Sequence, residues 1–522
     1  MAEISNIDIG IIFGYLGLVL IIGLWVAART KSDDDLFLGG RSLTWGFIGL
    51  SLFASNISST TLIGLAGSAY STGIVQSVYE WGMGIPFIVL ALVFVPLYIR
   101  SRITTVPEFL EYRYDRRSRS FFSILTIFTS IIVDTAGGLY AGSLVLKVFF
   151  PDLILWQTSL ALALFAGFYT AFGGLKAVVY TDALQAIILI IGSTTLTYLL
   201  FARLDFSIAN LVASAPEGHF SVVRPLTDTS LPWPGLLLGV PFLGFWYMAT
   251  NQYITQRVLG AKNIQHARWG VMLAGVLKML PFFIMVLPGA MAISLFPDLP
   301  NGDLVFPTTV MEVLPVGLVG LVLAGLISAI MSSVDSTQNS ASTLIVFDFI
   351  KTRNPDISSK DIVKYGRIST LILMIIAAAW APQIANFGGL WSYLQQMFAI
   401  IVPPIVVIFL VGVFYPRGNG DGAFWTLILG TLIGGVLFLL GQFELWPLHY
   451  TINVGLVVLI STGIFMLVSN LTTAPDPEQV APYIFRKSLI QLENEGVAWY
   501  QDYRYQAILL FVMVVGMLVA FW

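Results

Sequence analysis

The 522-residue chain contains no cysteine, only three histidines and few charges. Without cysteine there is no thiol nucleophile, no disulfide framework and no thiolate metal site. His219, His266 and His449 form no H-E-x-x-H pair, and no G-x-x-x-x-G-K-[ST] loop occurs, so neither a zinc hydrolase nor a nucleotide-driven pump is expected. Charged residues make up 11% of the chain, against about a quarter in an average soluble domain. The net charge of −3, with no basic block, gives nucleic acid no footprint. Alternating strands of transmembrane-barrel type are also absent, which excludes an outer-membrane barrel.

What is present is apolar. Hydrophobic residues make up 57% of the chain, and the mean hydropathy is +0.85. Uncharged runs recur at the length of about 20 residues that a helix needs to cross a bilayer. The first, Ile9 to Ala28, follows acidic Glu3 and Asp8 and lacks a cleavage site, so it reads as a retained span rather than a signal peptide. About fourteen spans are expected, near 8–28, 44–70, 77–99, 121–149, 154–173, 178–202, 233–256, 269–295, 313–347, 367–386, 389–415, 421–441, 449–470 and 505–522. With both termini outside, all but Lys147, Arg203, Arg224 and Lys278 of the 26 basic residues fall on cytoplasmic loops. The opposite orientation breaks the positive-inside rule. The expected fold class is therefore all-α integral membrane, as one transmembrane domain.

Two spans carry breaks. The second holds Ser55-Asn56-Ile57-Ser58-Ser59-Thr60-Thr61 at its centre. The seventh holds Pro241, Gly244 and then Thr250-Asn251-Gln252. Broken backbone persists in hydrocarbon only where it lines a protein cavity. The two breaks lie five spans apart, so spans two to six (44–202) and seven to eleven (233–415) form corresponding blocks. That is the pattern of an inverted-repeat (5+5) transporter with a midplane site. An added first helix (8–28) precedes the blocks and C-terminal helices (421–522) follow them. The plainer alternative is that small polar residues merely pack helices together.

Glu80, Asp134, Asp182, Lys278 and Asp335 fall in or beside the apolar spans, where charge is costly and usually faces a pathway or a partner. Glu80 and Lys278 are complementary, able to bridge a polyhydroxy ligand or to form a structural pair. Consecutive hydroxyls at Ser332 and Ser333, with carbonyls released around Ala54 and Ile57, offer oxygen ligands to a small hard cation.

Several stretches together resemble the sodium/solute symporter family, and within it the bacterial sodium/galactose branch. These are YEW at Tyr79–Trp81, TVPEFLEYRYD at Thr105–Asp115, AVVYTDALQ at Ala177–Gln185, NQYITQRVLGAKN at Asn251–Asn263, LKMLPFFIMVLPG at Leu277–Gly289 and SSVDSTQNSASTLIVFDFIK at Ser332–Lys351. The resemblance implies a leucine-transporter-type repeat and sodium-coupled alternating access. It implies a main sodium site of the Ala54, Ile57 and Ala329 carbonyls with the Ser332 and Ser333 hydroxyls. Asp182, Asp335 and Ser336 align with a possible second cation site, so the coupling ion is sodium, one or two per cycle. Asp335 stands where relatives have a hydroxyl, which either strengthens that site or substitutes a proton or fixed ion pair for one cation. Asn56, Glu80, Lys278 and Gln395 match the family's sugar contacts, and Thr61 occupies a further contact position with a different residue. Tyr247 matches the aromatic that stacks under the sugar as an inner gate, and Leu65, Tyr79 and Trp391 match the outer closure.

The departures concern specificity. Thr61, Gly244 and Met83 stand where galactose carriers have Gln, Asn and Ser, and Asp134 replaces an uncharged polar residue. Galactose is therefore not assumed. The expected activity is sodium-coupled import of a sugar or sugar-like solute across a bacterial inner membrane. Inositol, a sialic acid, a carboxylate or an amino-acid-like compound are alternatives on the same fold. A solute sensor without transport is the alternative of a different class.

Overall fold

The computed structural model describes residues 4–27, 39–57, 59–149, 152–213, 215–387, 390–490 and 498–522, and it is helical throughout. Sixteen helical segments matter here. They are α1 (Asn6–Ala27), α2 (Trp45–Asn56), α3 (Ser59–Thr72), α4 (Ile74–Arg100), α5 (Val106–Arg113), α6 (Arg116–Lys147), α7 (Leu155–Ala202) and α8 (Val240–Phe245). Then come α9 (Gln252–Leu259), α10 (Ile264–Leu295), α11 (Leu318–Leu344), α12 (Ser359–Ala385), α13 (Leu390–Phe414), α14 (Gly420–Gln442), α15 (Tyr450–Leu471) and α16 (Tyr503–Ala520). Among the described residues nine helices are long and apolar enough to cross a membrane, and the bent pair α2–α3 makes a tenth.

The chain is thus an all-α, multi-pass membrane protein, with fewer clean spans than the sequence pattern suggested. The reasons are local. The spans expected at 154–173 and 178–202 share one 48-residue helix, α7, which continues through Gly173 and Gly174. The seventh span is divided into short pieces, and α11 carries a run of hydroxyl and amide side chains through its C-terminal half.

The second span breaks where its polar run begins. Helix α2 stops at Asn56, Ile57 turns out of helical geometry (φ −85, ψ 66), and the two halves meet at 53°. The Thr61 hydroxyl donates to the Asn56 carbonyl at 2.9 Å, which satisfies one acceptor exposed by the break. In the seventh span Pro241 opens α8, a π-helical stretch covers Trp246–Thr250, and Asn251 is extended (φ −69, ψ 126). Asn251 then caps α9, accepting the Tyr253 N–H at 3.2 Å. Tyr98 of α4 donates to the freed Ala249 carbonyl at 3.0 Å, and the Val106 N–H donates to the Gln252 side chain at 2.7 Å. Each break is therefore provided with polar partners, from within its own span at the first and partly from α4 at the second.

The breaks are held in register by tight packing and buried polar ties. Asp8 accepts the Gly317 and Gly320 N–H groups at 2.7 Å each, an anion seated on the amino end of α11. Arg113 of α5 is fully buried and donates to the carbonyls of Gly412, Tyr415 and Gly418 at 2.8–2.9 Å. On α3, a β-carbon at Gly67 would lie 2.6 Å from the Gly302 carbonyl carbon. That is a backbone atom and has no rotamer with which to retreat.

Gly67→Val is therefore expected to lower stability by about 2 kcal/mol or more, the scale of overpacking against an unyielding neighbour. Gly435→Ala, in α14 with no atom within 4 Å of the added carbon, serves as the neutral control. Thermal unfolding of the purified protein in detergent tests this, and equal midpoints for the two variants would refute the packing argument.

Candidate functional site

A cavity of about 60 Å³ opens at the two breaks. Asn56, Thr60 and Thr61 contribute from the α2–α3 break, Tyr79, Glu80 and Met83 from α4, and Asp134 from α6. Leu243, Trp246 and Tyr247 contribute from the interrupted seventh span, and Trp391, Leu394, Gln395 and Phe398 from α13. Where one buried water needs about 10–15 Å³, this is room for a handful of waters, less than a sugar ring fills. Admission of such a ring requires a wall to move.

Of the predicted solute contacts, Asn56, Thr61, Glu80, Tyr247 and Gln395 line this cavity together. Lys278 does not. Its ammonium lies behind Glu80, 2.5 Å from Oε2, with the two side chains 1% and 4% exposed. Its contribution to any ligand therefore runs through the carboxylate it holds. The Asn56 amide, meanwhile, points at the Met248 sulfur at 3.9 Å.

The predicted gates fall on two sides. Tyr79 and Trp391 meet edge to face at 5.5 Å. Tyr79 shares a hydrogen bond with Tyr450 at 3.2 Å, and the Trp391 indole donates to Gln76 at 3.1 Å. Beyond them lies a polar vestibule of about 250 Å³, lined by Ser68, Ser71, Gln76, Asp303 and Tyr450 and sharing Trp391 as a wall. Leu65 is buried in α3 beside Gly64 but is not among the residues lining the central cavity. Opposite, Tyr247 is hydrogen-bonded to Tyr253 and packs near Phe398, with ring centroids 6.5 Å apart.

At the predicted sodium site, Ala54 and Ile57 are buried at the carboxyl end of α2, where the last carbonyls of a helix lack intrahelical donors. Ala329 is buried on α11, which packs against α2. Ser333 follows it by four residues on the same face. The Ser333 hydroxyl oxygen is buried with no hydrogen-bond partner among the described residues. The side chains of Ser332, Asp182 and Asp335 lie outside the described residues. Ser336 accepts a hydrogen bond from Arg257 at 2.8 Å, and the same guanidinium donates to Ser51 at 2.7 Å.

Sequence reasoning missed Thr60, Leu243, Trp246, Leu394 and Phe398 as cavity residues. Two of these had a signal. Phe398 follows Gln395 by three, hence shares its helix face, and Trp246 adjoins Tyr247 in FWYM. The packing of Met83 against Gly244 had none: a β-carbon at Gly244 would lie 2.6 Å from the Met83 sulfur.

The sodium:solute symporter family profile matches residues 36–430. The chain belongs to that family. It is 37% identical over 478 residues to the human sodium/myo-inositol cotransporter 2, covering 84% of this chain and 71% of the relative. It is 33% identical over 524 residues to the sodium/glucose cotransporter 4 of Danio rerio, covering 90% and 80%. To the rabbit sodium/glucose cotransporter 1 it is 36% identical over 470 residues, covering 82% and 71%. Among solved structures, a substrate-bound, outward-open Na⁺-coupled sialic acid symporter superposes with a TM-score of 0.76 at 21% identity, covering 90% of this chain and 99% of that one. A nucleobase-cation-symport-1 family transporter in a closed conformation gives a TM-score of 0.57 at 13% identity, covering 87% and 99%.

This symporter is accordingly a sodium-coupled secondary transporter of a small polar solute, and not an enzyme. Two expectations are corrected. The resemblance is to the family as a whole rather than to its bacterial galactose branch, because inositol and glucose cotransporters appear at 33–37% identity. The expected bacterial inner membrane is overturned by the same finding: these relatives come from human, fish, rabbit, pig, mouse and cow. What stands is a multi-pass membrane protein.

The Glu80–Lys278 pair generates a double-mutant test. Lys278→Ala leaves a buried carboxylate unpaired and is expected to cost about 3–5 kcal/mol. Glu80→Gln combined with Lys278→Met should recover most of that stability while leaving sodium-driven uptake far below wild type. Uptake restored together with stability would make the pair purely structural.

Proposed function

We propose that the solute is a six-membered polyol, a sugar or an inositol-like cyclitol, carried in the cavity between the two helix breaks. The observation behind this reading is the composition of its lining. Asn56, Thr61, Glu80 and Gln395 offer amide, hydroxyl and carboxylate groups for several hydroxyls, while Trp246, Tyr247 and Phe398 offer aromatic faces for ring C–H surface. The names of the relatives, inositol and glucose cotransporters, point the same way.

In this reading the full architecture is the fourteen-span one. It has a leucine-transporter-type 5+5 repeat over 44–202 and 233–415, an added first helix over 8–28 and C-terminal helices over 421–522. Sodium binds through the Ala54, Ile57 and Ala329 carbonyls and the Ser332 and Ser333 hydroxyls, joining α2 to α11. The buried Ser333 oxygen, without a partner among the described residues, supports it, since a buried hydroxyl ordinarily finds one. Sodium shifts the population toward a state in which Tyr79 and Trp391 part, with Leu65 behind them. The solute then binds, these side chains reseat, and the Tyr247 side yields. A ligand drives such a cycle only through different affinities for its states.

One sodium per cycle is favoured over two. The guanidinium of Arg257, 2.8 Å from the Ser336 hydroxyl, already puts positive charge where Asp182, Asp335 and Ser336 would form a second site.

Uptake of labelled myo-inositol and glucose into proteoliposomes tests the assignment. Sodium-dependent accumulation is expected, with a Hill coefficient for sodium near one. Ser333→Ala should abolish the sodium dependence in a protein that still inserts and folds. Wild-type sodium dependence in that variant removes Ser333 from the site, and a coefficient near two restores the second cation.

A further inference from the structure

Asp134 has no task in this mechanism. It lies in a π-helical stretch of α6, Thr129–Thr135, and lines the central cavity. Its Oδ2 atom is buried, with no hydrogen-bond partner among the described residues. No salt bridge to it occurs among them either. Two other buried carboxylates among the described residues are provided with partners. Glu80 has Lys278 at 2.5 Å, and Asp348 has Arg119 at 2.5 Å together with Ser123 and Thr105. The cations that could serve Asp134 are committed elsewhere, Lys278 to Glu80 and Arg257 to Ser51, Ser336 and the Tyr253 carbonyl. Glu80 and Lys278 cancel, so the described lining of the cavity carries one uncompensated acidic group.

The rest of the lining sharpens this. With Gly244 and Met83 packed against each other, and Leu243 and Trp246 beside them, that part of the wall is apolar. An unpaired carboxylate within the membrane interior is costly unless a cation or a donor completes it. A solute can bring that cation itself.

Resting on the polyol reading above, we infer that Asp134 makes this carrier selective for amino-substituted polyols, whose ammonium group it receives. Neutral polyols occupy the same cavity and leave the carboxylate without its partner. A charge-assisted hydrogen bond of this kind is worth roughly a factor of ten or more in affinity. Asp134 is then a specificity determinant: the aromatic faces and the amide and hydroxyl groups hold the ring, and the carboxylate chooses its substituent.

The test is competition against sodium-driven uptake in proteoliposomes, using four probes: glucose, glucosamine, myo-inositol and an amino-deoxy-inositol. In the wild type, at a pH where the amines are protonated, an amino compound should compete about tenfold better than its hydroxyl counterpart. N-acetylglucosamine, whose nitrogen is neutral, should lose that advantage. In Asp134→Asn the ratio between an amino compound and its hydroxyl counterpart should fall to about one. Sodium-driven uptake of neutral polyols with no amine advantage in the wild type overturns this inference alone. Absence of sodium-driven uptake for all four probes overturns the polyol reading and this inference together. The wild-type and N-acetyl comparisons decide the matter even if Asp134→Asn does not insert.

Discussion

A helix interrupted inside a membrane leaves backbone donors and acceptors that no lipid can satisfy, and most of this structure follows from meeting that demand twice. At the first break the Thr61 hydroxyl takes up the Asn56 carbonyl. At the second the Asn251 side chain caps the next helix, Tyr98 of α4 donates to the freed Ala249 carbonyl, and the Gln252 side chain accepts the Val106 N–H of α5. At the first break the partner lies within the same span, whereas the second draws one from α4 and is not completed by its own residues alone. The same freed groups are what a cation and a polar solute can use. The cavity is therefore a consequence of the breaks, and the surrounding helices act as the scaffold that makes them tolerable.

Buried charge obeys the same logic with higher stakes. Lys278 and Glu80 neutralise one another; Arg113 replaces a counter-charge by several carbonyls; Asp8 uses the amino end of α11. In each case the ionised group is held by at least one partner from a distant part of the chain, so removing that partner is expected to disturb tertiary packing as well as local charge. Arg257 extends the pattern to coupling. By holding Ser51 of α2 and Ser336 of α11 at once, it joins the two helices that the proposed sodium ion would also join. A covalently attached cation and a mobile one would thus act on the same seam, and only the mobile one can report the sodium gradient.

Much of this was readable before any coordinates, for identifiable reasons. A run such as Ser55–Thr61 or a Pro241–Asn251 interruption has no place in an ordinary membrane helix, so the breaks and the cavity between them were visible in composition. That Glu80 and Lys278 are complementary is visible in the sequence, but not whether they bridge a ligand or pair with each other. That Lys278 stands behind Glu80 is not visible either, because side-chain depth within a cavity wall leaves no periodic trace. The Met83–Gly244 contact was hidden for a related reason: it depends on how closely α4 and α8 approach. At α7 the sequence pattern places two spans on either side of Gly173-Gly174 and Lys176, whereas the structure runs one helix through them. The kind of membrane left no mark at all. Basic residues favour the cytoplasmic side in any cell, so the charge pattern that oriented the chain could not separate a bacterial host from an animal one.

The two proposed closures of the cavity differ in thickness, and this bears on how a small gradient would open them in turn. Trp391 and Tyr79 form a wall with the polar vestibule against its far side, held by hydrogen bonds to Gln76 and Tyr450. Moving it exchanges a few polar contacts near water, which are worth little net because water can replace them. On the opposite side Tyr247 and Tyr253 are backed by Arg257 and its buried partners on α2 and α11, so opening there requires the helices themselves to shift. Sodium bound at the α2–α11 seam would strengthen this thick closure directly while leaving the thin one free to move. A cation that stabilises one gate by joining its two sides favours the state in which the other gate is open, and no separate relay between the gates is required.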